Sequence, residues 1–481
     1  MYPSKKSNTE NNIFLESRTG SFTYEDLNDY TNRLKTWLNE HWSYFHKPRI
    51  ALEANSSDDL FMTIAACWNL GISFASLDVA FISRNKINRM DPEVFFGRTQ
   101  AALDKFDSVH IPALTYDSIK SCLPENLTTL PSISSEDFFA YLFTSGSSGR
   151  SKLVPCKRKQ IEHSAANSSQ LLRPGSQGLW LHCLPLNHIG GVSIIPRSLL
   201  YNTGIYRADG FDAEEIATLI SENSRIQVVS LVPTMLMRLL DLNAFKPNPN
   251  LKAILLGGGP VSPEILKEAY KRDFPVLTSY GMTETCGMIA VEKYEPANGF
   301  ASGKLLGGNK IKIVTEDFKP ATSDETGLIV LKGPQVFEGY DDENDNLKAF
   351  DDEQWFHTGD FGSLDASGRL TIETRRTDMI ITGGENVSPY EVEAVINRLP
   401  GVLESAIAGI PDKEWGQKIT ALIIFETKEL ENIPQITSSL KQLLPAYKVP
   451  KVIHAVQALP KTSLGKLQRK KISAMVTKLD Q

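Results

Sequence analysis

The chain has 481 residues, 41% hydrophobic and 22% charged, the composition of a globular protein and long enough for about two to four domains. Its 51 basic and 57 acidic residues leave a net charge of −6, which argues against nucleic acid or an anionic membrane as the main partner. Cys67, Cys122, Cys156, Cys183 and Cys286 form no Cys-x-x-Cys pair, and such an odd, dispersed set suits a reducing cytoplasm without structural zinc.

The first residues, MYPSKKSNTENN, lack the apolar stretch of a secretory signal. FTYEDL at 22–27 opens a helix, with Thr23 as its cap and Leu27, Tyr30, Leu34, Trp37 and Leu38 on one face. Residues 60–77 are uncharged and nearly long enough to cross a bilayer. Asn69, Gly71, Ser73 and Ser76 interrupt that run, and Asp58-Asp59 precede it without a basic flank. A buried helix, a turn at 69–71 and a buried strand are expected there, with no stable membrane insertion.

A strand ending at Tyr141-Leu142-Phe143 runs into Thr144, Ser145, Gly146, Ser147, Ser148 and Gly149, and Lys152 closes the segment. Consecutive backbone N–H groups in such a loop form a nest for an anion, and the lysine adds a point charge. A flexible linker is the competing reading. The segment is not a Walker loop, since the spacing between its glycines is too short and Leu153 follows the lysine.

Further along, helices near 160–172, 213–223, 233 onward and 263 onward alternate with strands near 178–184, 226–231, 253–256 and 276–277. That alternation predicts parallel βαβ layers. Three glycine-rich or polar segments punctuate it. In Pro185-Leu186-Asn187-His188-Ile189-Gly190-Gly191, His188 is either a pocket residue or a structural histidine, and the glycines leave room for a ligand. Arg197 is either a carboxylate ligand or a helix-surface charge. Gly257, Gly258 and Gly259 end a strand, where bare backbone admits a planar group or merely a tight turn. In Thr278-Ser279-Tyr280-Gly281-Met282-Thr283-Glu284-Thr285, Tyr280 can stack on a base, Thr283 can donate to a phosphate and Glu284 can hold magnesium.

After about residue 300 the strands become short and separated by Gly, Asp and Pro, which predicts a small antiparallel or barrel-like unit. Asp360, at the end of WFHTGD, can accept both hydroxyls of a ribose, and Arg375 can add donors to the same sugar. Gly383 and Gly384 form another glycine turn. Ser388-Pro389 begins a helix with serine at the N-cap, and strands at 405–409 and 420–425 complete an α+β tail. Lys466 lies in a small-residue loop, PKTSLGK, where alone it reads as a solvated charge.

In this order the segments from about 140 to 467 resemble the adenylate-forming superfamily (acyl-CoA synthetases, firefly luciferase and peptide-synthetase adenylation domains). The resemblance implies an α/β fold. A large N-terminal domain, residues 1–376, would carry layered βαβ subdomains and the barrel-like unit, and a small mobile α+β domain would span 377–481. It implies that Thr144 to Gly149 and Lys152 cradle the ATP phosphates and that Gly258, Gly259 and Tyr280 hold adenine. Thr283 and Glu284 would act at the α-phosphate, with Glu284 and Thr144 at Mg²⁺, and Asp360 and Arg375 at ribose. Lys466 would bridge the substrate carboxylate and the α-phosphate, and the tail would rotate about Thr377, where many relatives have Asp or Lys. Gly383 and Gly384 would then line the CoA thiol tunnel.

The spellings LPLNHIGG, LLGGGP, FPVLTSYGMTETC and RRTDMIITGGENVSPYEVE look most like the o-succinylbenzoate–CoA ligases of menaquinone biosynthesis. The implied reaction is ATP-dependent activation of 2-succinylbenzoate and its transfer to CoA, with release of AMP and pyrophosphate. Because that acid keeps a second polar end, His188, Ser193, Thr278 and Ser279 are the candidates for the acyl pocket. Another aryl- or medium-chain acyl-CoA synthetase and a stand-alone adenylation protein that loads a carrier are the alternatives. Partners are then the acid, ATP and CoA in the cytoplasm, with a homo-oligomer left open.

Overall fold

The computed structural model of the chain describes residues 12–41, 48–79, 83–124, 132–144, 152–242, 245–259, 261, 263–315, 319–347, 349–375, 378, 380–382, 385–412, 415–444, 446–461 and 467–479. The chain divides into two compact units. The first comprises Met1–Gly258, Pro263–Ile311 and Leu331–His357, and the second Gly259–Ser262, Lys312–Val330 and Thr358–Gln481.

Two sheets organise the first unit. One runs in the order Ala113–Thr115, Val94–Gly97, Arg49–Glu53, Ser73–Leu77, Phe138–Thr144, Lys152–Lys157. Its pairs are parallel except the last, which is an antiparallel hairpin. The other sheet is parallel through Ile13–Ser17, Gly204–Arg207, Leu179–His182, Ile226–Leu231, Ala253–Leu256 and Val276–Met282. Antiparallel strands Ser21–Thr23 at one end and Gly287–Lys293 and Gly303–Leu305 at the other extend it. The expected βαβ layering is therefore present. Leu179–His182 is buried at every position, as a central parallel strand covered on both faces must be.

Local chemistry explains the main helices. Thr23 and Asp26 cap Tyr24–His41 reciprocally: the Asp26 N–H donates to Thr23 Oγ1 at 3.1 Å and the Thr23 N–H to the Asp26 carboxylate at 2.7 Å. The five residues expected on its inner face are buried. The uncharged run becomes helix Asp58–Leu70 and strand Ser73–Leu77. Ser57 accepts the Leu60 N–H to start the helix, and Gly71, at φ 65°, ends it in the left-handed conformation. No helix among the described residues is long and apolar enough to cross a membrane. Arg207, in one sheet, donates to Asp58 at 2.6 Å and to the Ser56 carbonyl at 2.6 Å, which ties that sheet to the helix beside the other.

The second unit carries most of the strands Lys310–Val314, Gly327–Lys332, Phe356–Leu364 and Arg369–Arg375, paired in that order. Its C-terminal part forms a separate sheet around Gly416–Phe425, which pairs antiparallel with Val402–Asp412 and parallel with Val452–Ala455. Alternation along Gly416–Phe425 serves two cores. Ile419, Ala421 and Ile423 pack with Val392, Ile396, Ile436 and Leu440, whereas Leu422 packs with Ala406, Ala408, Ile472 and Val476. Ser388 is the N-cap of helix Pro389–Ile396, as expected, although its hydroxyl makes no capping hydrogen bond. It donates instead to the Glu373 carbonyl at 3.5 Å, so the Pro389 ring alone presets the first turn.

Candidate functional site

The Gly/Ser segment joins two paired strands. Thr144 and Lys152 face each other at the end of the antiparallel ladder between Phe138–Thr144 and Lys152–Lys157. Ser145, Gly146, Ser147, Ser148 and Gly149 lie outside the described residues. Lys152 holds its ammonium 4.0 Å from the centroid of the Tyr340 ring. The Tyr340 hydroxyl donates to Glu284 Oε1 at 2.9 Å, and the Phe337 N–H donates to the Glu284 carbonyl at 2.8 Å. Lys152 and Glu284, 132 positions apart in sequence, thus meet through one tyrosine. Nothing in the sequence around FEGY marks Tyr340, because its role depends entirely on where the segment docks.

Strand Val276–Met282 runs through the first five residues of the motif 278–285, and a 3-10 turn, Thr283–Thr285, completes it. This turn is secured from two sides. The Gln335 amide donates to the Thr285 carbonyl at 2.9 Å, and the Cys156 thiol approaches the Thr283 carbonyl at 3.9 Å. Glu284 is only 9% exposed, Tyr280 is buried and Thr283 is half-buried. Ser279 donates to the Leu256 carbonyl at 2.9 Å. Thr278 is buried, and its hydroxyl has no hydrogen-bond partner among the described residues. The glycine run beside this strand is required by the backbone itself. Gly258 has φ 81°, and a Cβ on Gly257 would meet Ser279 Oγ at 2.7 Å. Gly258 and Gly259 are both exposed.

His188 is the exposed N-cap residue of the short helix Ile189–Val192. The glycines after it do not serve ligand access alone: a Cβ on Gly191 would lie 2.4 Å from the Pro185 carbonyl oxygen. Ser193 is buried and accepts from Arg197 Nη1 at 3.2 Å. Arg197 corrects the surface-charge reading. It is 2% exposed, its Nη2 donates to Ser164, and its Nε has no hydrogen-bond partner among the described residues. No carboxylate pairs with it among the described residues. Burial lowers its pKa, yet a guanidinium keeps its proton, so an uncompensated cation sits in the interior. The signal for this was present in Ile194–Tyr201 (IIPRSLLY), which is apolar on several sides; a helix of that kind is a core helix.

No local motif marks His182, the last residue of strand Leu179–His182. Its Nε2 donates to the Gly191 carbonyl at 3.1 Å, which fixes the neutral tautomer because a carbonyl can only accept. Burial pushes its pKa down to about 4. The unfolded chain therefore binds a proton that the folded chain refuses between about pH 6.5 and pH 4. Stability is full above that window and falls as pH drops through it, by about 3 kcal/mol in all. Urea unfolding of wild type and His182→Gln at pH 7.5 and pH 4.5 tests this. The variant should lose less on acidification, and identical losses would refute the assignment.

In the second unit, Asp360 is 4% exposed and its N–H donates to Thr358 Oγ1 at 3.0 Å. Asp360 and Arg375 are direct partners across the antiparallel strands. The two candidates for the ribose are thus adjacent in the ladder. Thr377, Gly383, Gly384 and Lys466 lie outside the described residues.

None of the five cysteines forms a disulfide. Among the described residues no group of three or more His, Cys, Asp or Glu side chains could hold a metal. A lone buried carboxylate such as Glu284 still fits magnesium, which takes one or two protein carboxylates and fills its shell with phosphate oxygens and water.

A family model for AMP-binding enzymes matches residues 4–341, and one for the AMP-binding enzyme C-terminal domain matches residues 391–466. The chain is 31% identical to the 2-succinylbenzoate–CoA ligase of Bacillus pumilus, over 97% of this chain and 96% of that protein. It is 38% identical to the ligase of the same name from Listeria monocytogenes, over 69% and 68%. Its structure is similar to that of o-succinylbenzoate CoA synthetase from Bacillus subtilis in complex with its acyl-adenylate intermediate. That comparison gives a TM-score of 0.88 and 27% identity, covering 97% of this chain and 96% of that one. Both segments matched by family models, and the near full-length likeness to the Bacillus pumilus protein, place the chain in the AMP-binding enzyme family.

Proposed function

We propose that the protein is an ATP-dependent acid–CoA ligase that acts on 2-succinylbenzoate in the cytoplasm. The substrate carboxylate attacks the α-phosphorus of ATP and pyrophosphate leaves. The CoA thiol then attacks the carbonyl of the acyl-adenylate, and AMP leaves. The relatives named above carry the same activity in their names. The observation that carries the choice of acid is Arg197. A substrate with two carboxylates presents one for activation and needs a partner for the other. A buried guanidinium with a spare Nε and no carboxylate partner among the described residues meets that need.

The remaining roles are those that the family resemblance implies, and the chemistry of the first step agrees with them. Two anions must approach, so cations and N–H donors have to offset their repulsion and the growing charge on phosphorus. Thr144 to Gly149 and Lys152 hold the β- and γ-phosphates, and Thr283 donates at the α-phosphate. Glu284, with Thr144, is the protein's contribution to a magnesium ion, which neutralises phosphate charge when bound. Gly258, Gly259 and Tyr280 take adenine, and Asp360 with Arg375 takes ribose. His188, Ser193, Thr278 and Ser279 line the acid. Residues 1–376 form the domain for ATP and acid. Residues 377–481 supply Lys466 for the first step and, turning about Thr377, Gly383 and Gly384 for the second.

Pyrophosphate exchange tests the reading. Addition of 2-succinylbenzoate should drive exchange of labelled pyrophosphate into ATP, and addition of CoA should yield the thioester. Exchange with benzoate or fatty acids but not with 2-succinylbenzoate would overturn the choice of acid. Exchange without a CoA thioester would point to carrier loading.

A further inference from the structure

We infer that Tyr340 is a positioning residue that sets the carboxylate of Glu284 and parks the ammonium of Lys152, an inference that rests on the ligase reading above. A carboxylate as buried as Glu284 needs hydrogen-bond donors. The phenol supplies one at Oε1, 2.9 Å away, and so fixes the orientation of the carboxylate proposed to meet the metal ion. On its ring face the same residue carries Lys152 at 4.0 Å. That contact is weak beside an ammonium–phosphate pair, so an arriving triphosphate takes the ammonium off the ring.

Tyr340 is itself held from several sides. The Asn346 side chain accepts the Tyr340 N–H at 2.7 Å and donates to its carbonyl at 3.0 Å. Phe337 packs edge-on to its ring at 4.8 Å. The Phe337 N–H fixes the same segment to the Glu284 backbone. If Tyr340 served packing alone, phenylalanine would replace it without consequence. The hydroxyl on Glu284 is what makes the two roles separable.

The test is equilibrium binding of α,β-methylene-ATP, which cannot give up its adenylyl group, measured by calorimetry with Mg²⁺ and with EDTA. Tyr340→Phe should lose about tenfold of the Mg²⁺-dependent affinity and none of the metal-free affinity, as expected for one hydrogen bond to a charged group. Tyr340→Leu should lose the same metal-dependent part. It should leave metal-free binding undiminished, because Lys152 is released for phosphate. Tyr340→Phe added to Glu284→Gln should cause no further change. Asn346→Ala, which frees the tyrosine backbone without touching the ring, should lose part of the same Mg²⁺-dependent affinity. Wild-type binding by Tyr340→Phe, equal loss with and without Mg²⁺, or an additive effect on Glu284→Gln would each overturn the inference and leave the ligase reading intact. Wild-type protein that binds the nucleotide without any Mg²⁺ dependence would overturn both.

Discussion

Lys466→Ala is expected to slow adenylation of 2-succinylbenzoate by about 10²–10³-fold and to leave thioesterification of a supplied acyl-adenylate nearly unchanged. The asymmetry follows from where charge develops. In the first step a carboxylate and a phosphate approach each other and negative charge grows on the phosphoryl oxygens. Removal of one cation aimed at that charge costs on this scale. In the second step the thiol attacks an uncharged carbonyl, so the same cation stabilises little. Pyrophosphate exchange reads the first step. CoA consumption with synthetic adenylate reads the second. Equal losses in both assays would refute the division of labour proposed for Lys466.

Arg197→Met should produce two effects of opposite sign. The KM for 2-succinylbenzoate should rise about 10²-fold, the usual scale for leaving one partner of a buried charge pair alone, and the KM for ATP should stay the same. A monocarboxylic acid turned over slowly by wild type should gain no KM penalty. At the same time the free protein should become more stable, by about 1–4 kcal/mol, because methionine fills the volume without the cost of an unpaired interior charge. Urea unfolding without substrate, together with initial rates, tests the pair of effects. A destabilised variant with an unchanged KM would show that Arg197 holds the core together and does not recognise the acid.

Much of the fold was legible because its signals are local. The helix Asp58–Leu70 and the strand after it followed from a capping serine, a left-handed Gly71 and an uncharged run broken by small polar residues. The alternating layers followed from period and length. The nucleotide-site candidates were legible as short glycine- and hydroxyl-rich segments after strands. Side-chain partners were not. Arg197 and Ser164 meet across two helices, Tyr340 and Glu284 across 56 positions, and no local pattern encodes either contact. At Ser388 the local rule placed the N-cap correctly but not its hydroxyl, which the Glu373 carbonyl takes instead of the first turn of the helix.

The hairpin that pairs Asp360 with Arg375 constrains how the chain can vary in length. Its turn is built by Asp365, whose carboxylate accepts the N–H groups of Ser367 and Arg369 at 2.9 Å each. Between the turn and the pair, the ladder already contains one irregularity, at Phe361/Gly362. Residues added at the turn move neither Asp360 nor position 375, since both lie on the far side of the ladder. A single residue added between Gly362 and Asp360, or between Ile372 and Arg375, carries one of the two positions to the opposite face of the strands. Natural variants of this protein should therefore differ in length at 365–368 and keep the spacing of the flanking strands, a pattern of gaps that would mark the hairpin even where every side chain had changed.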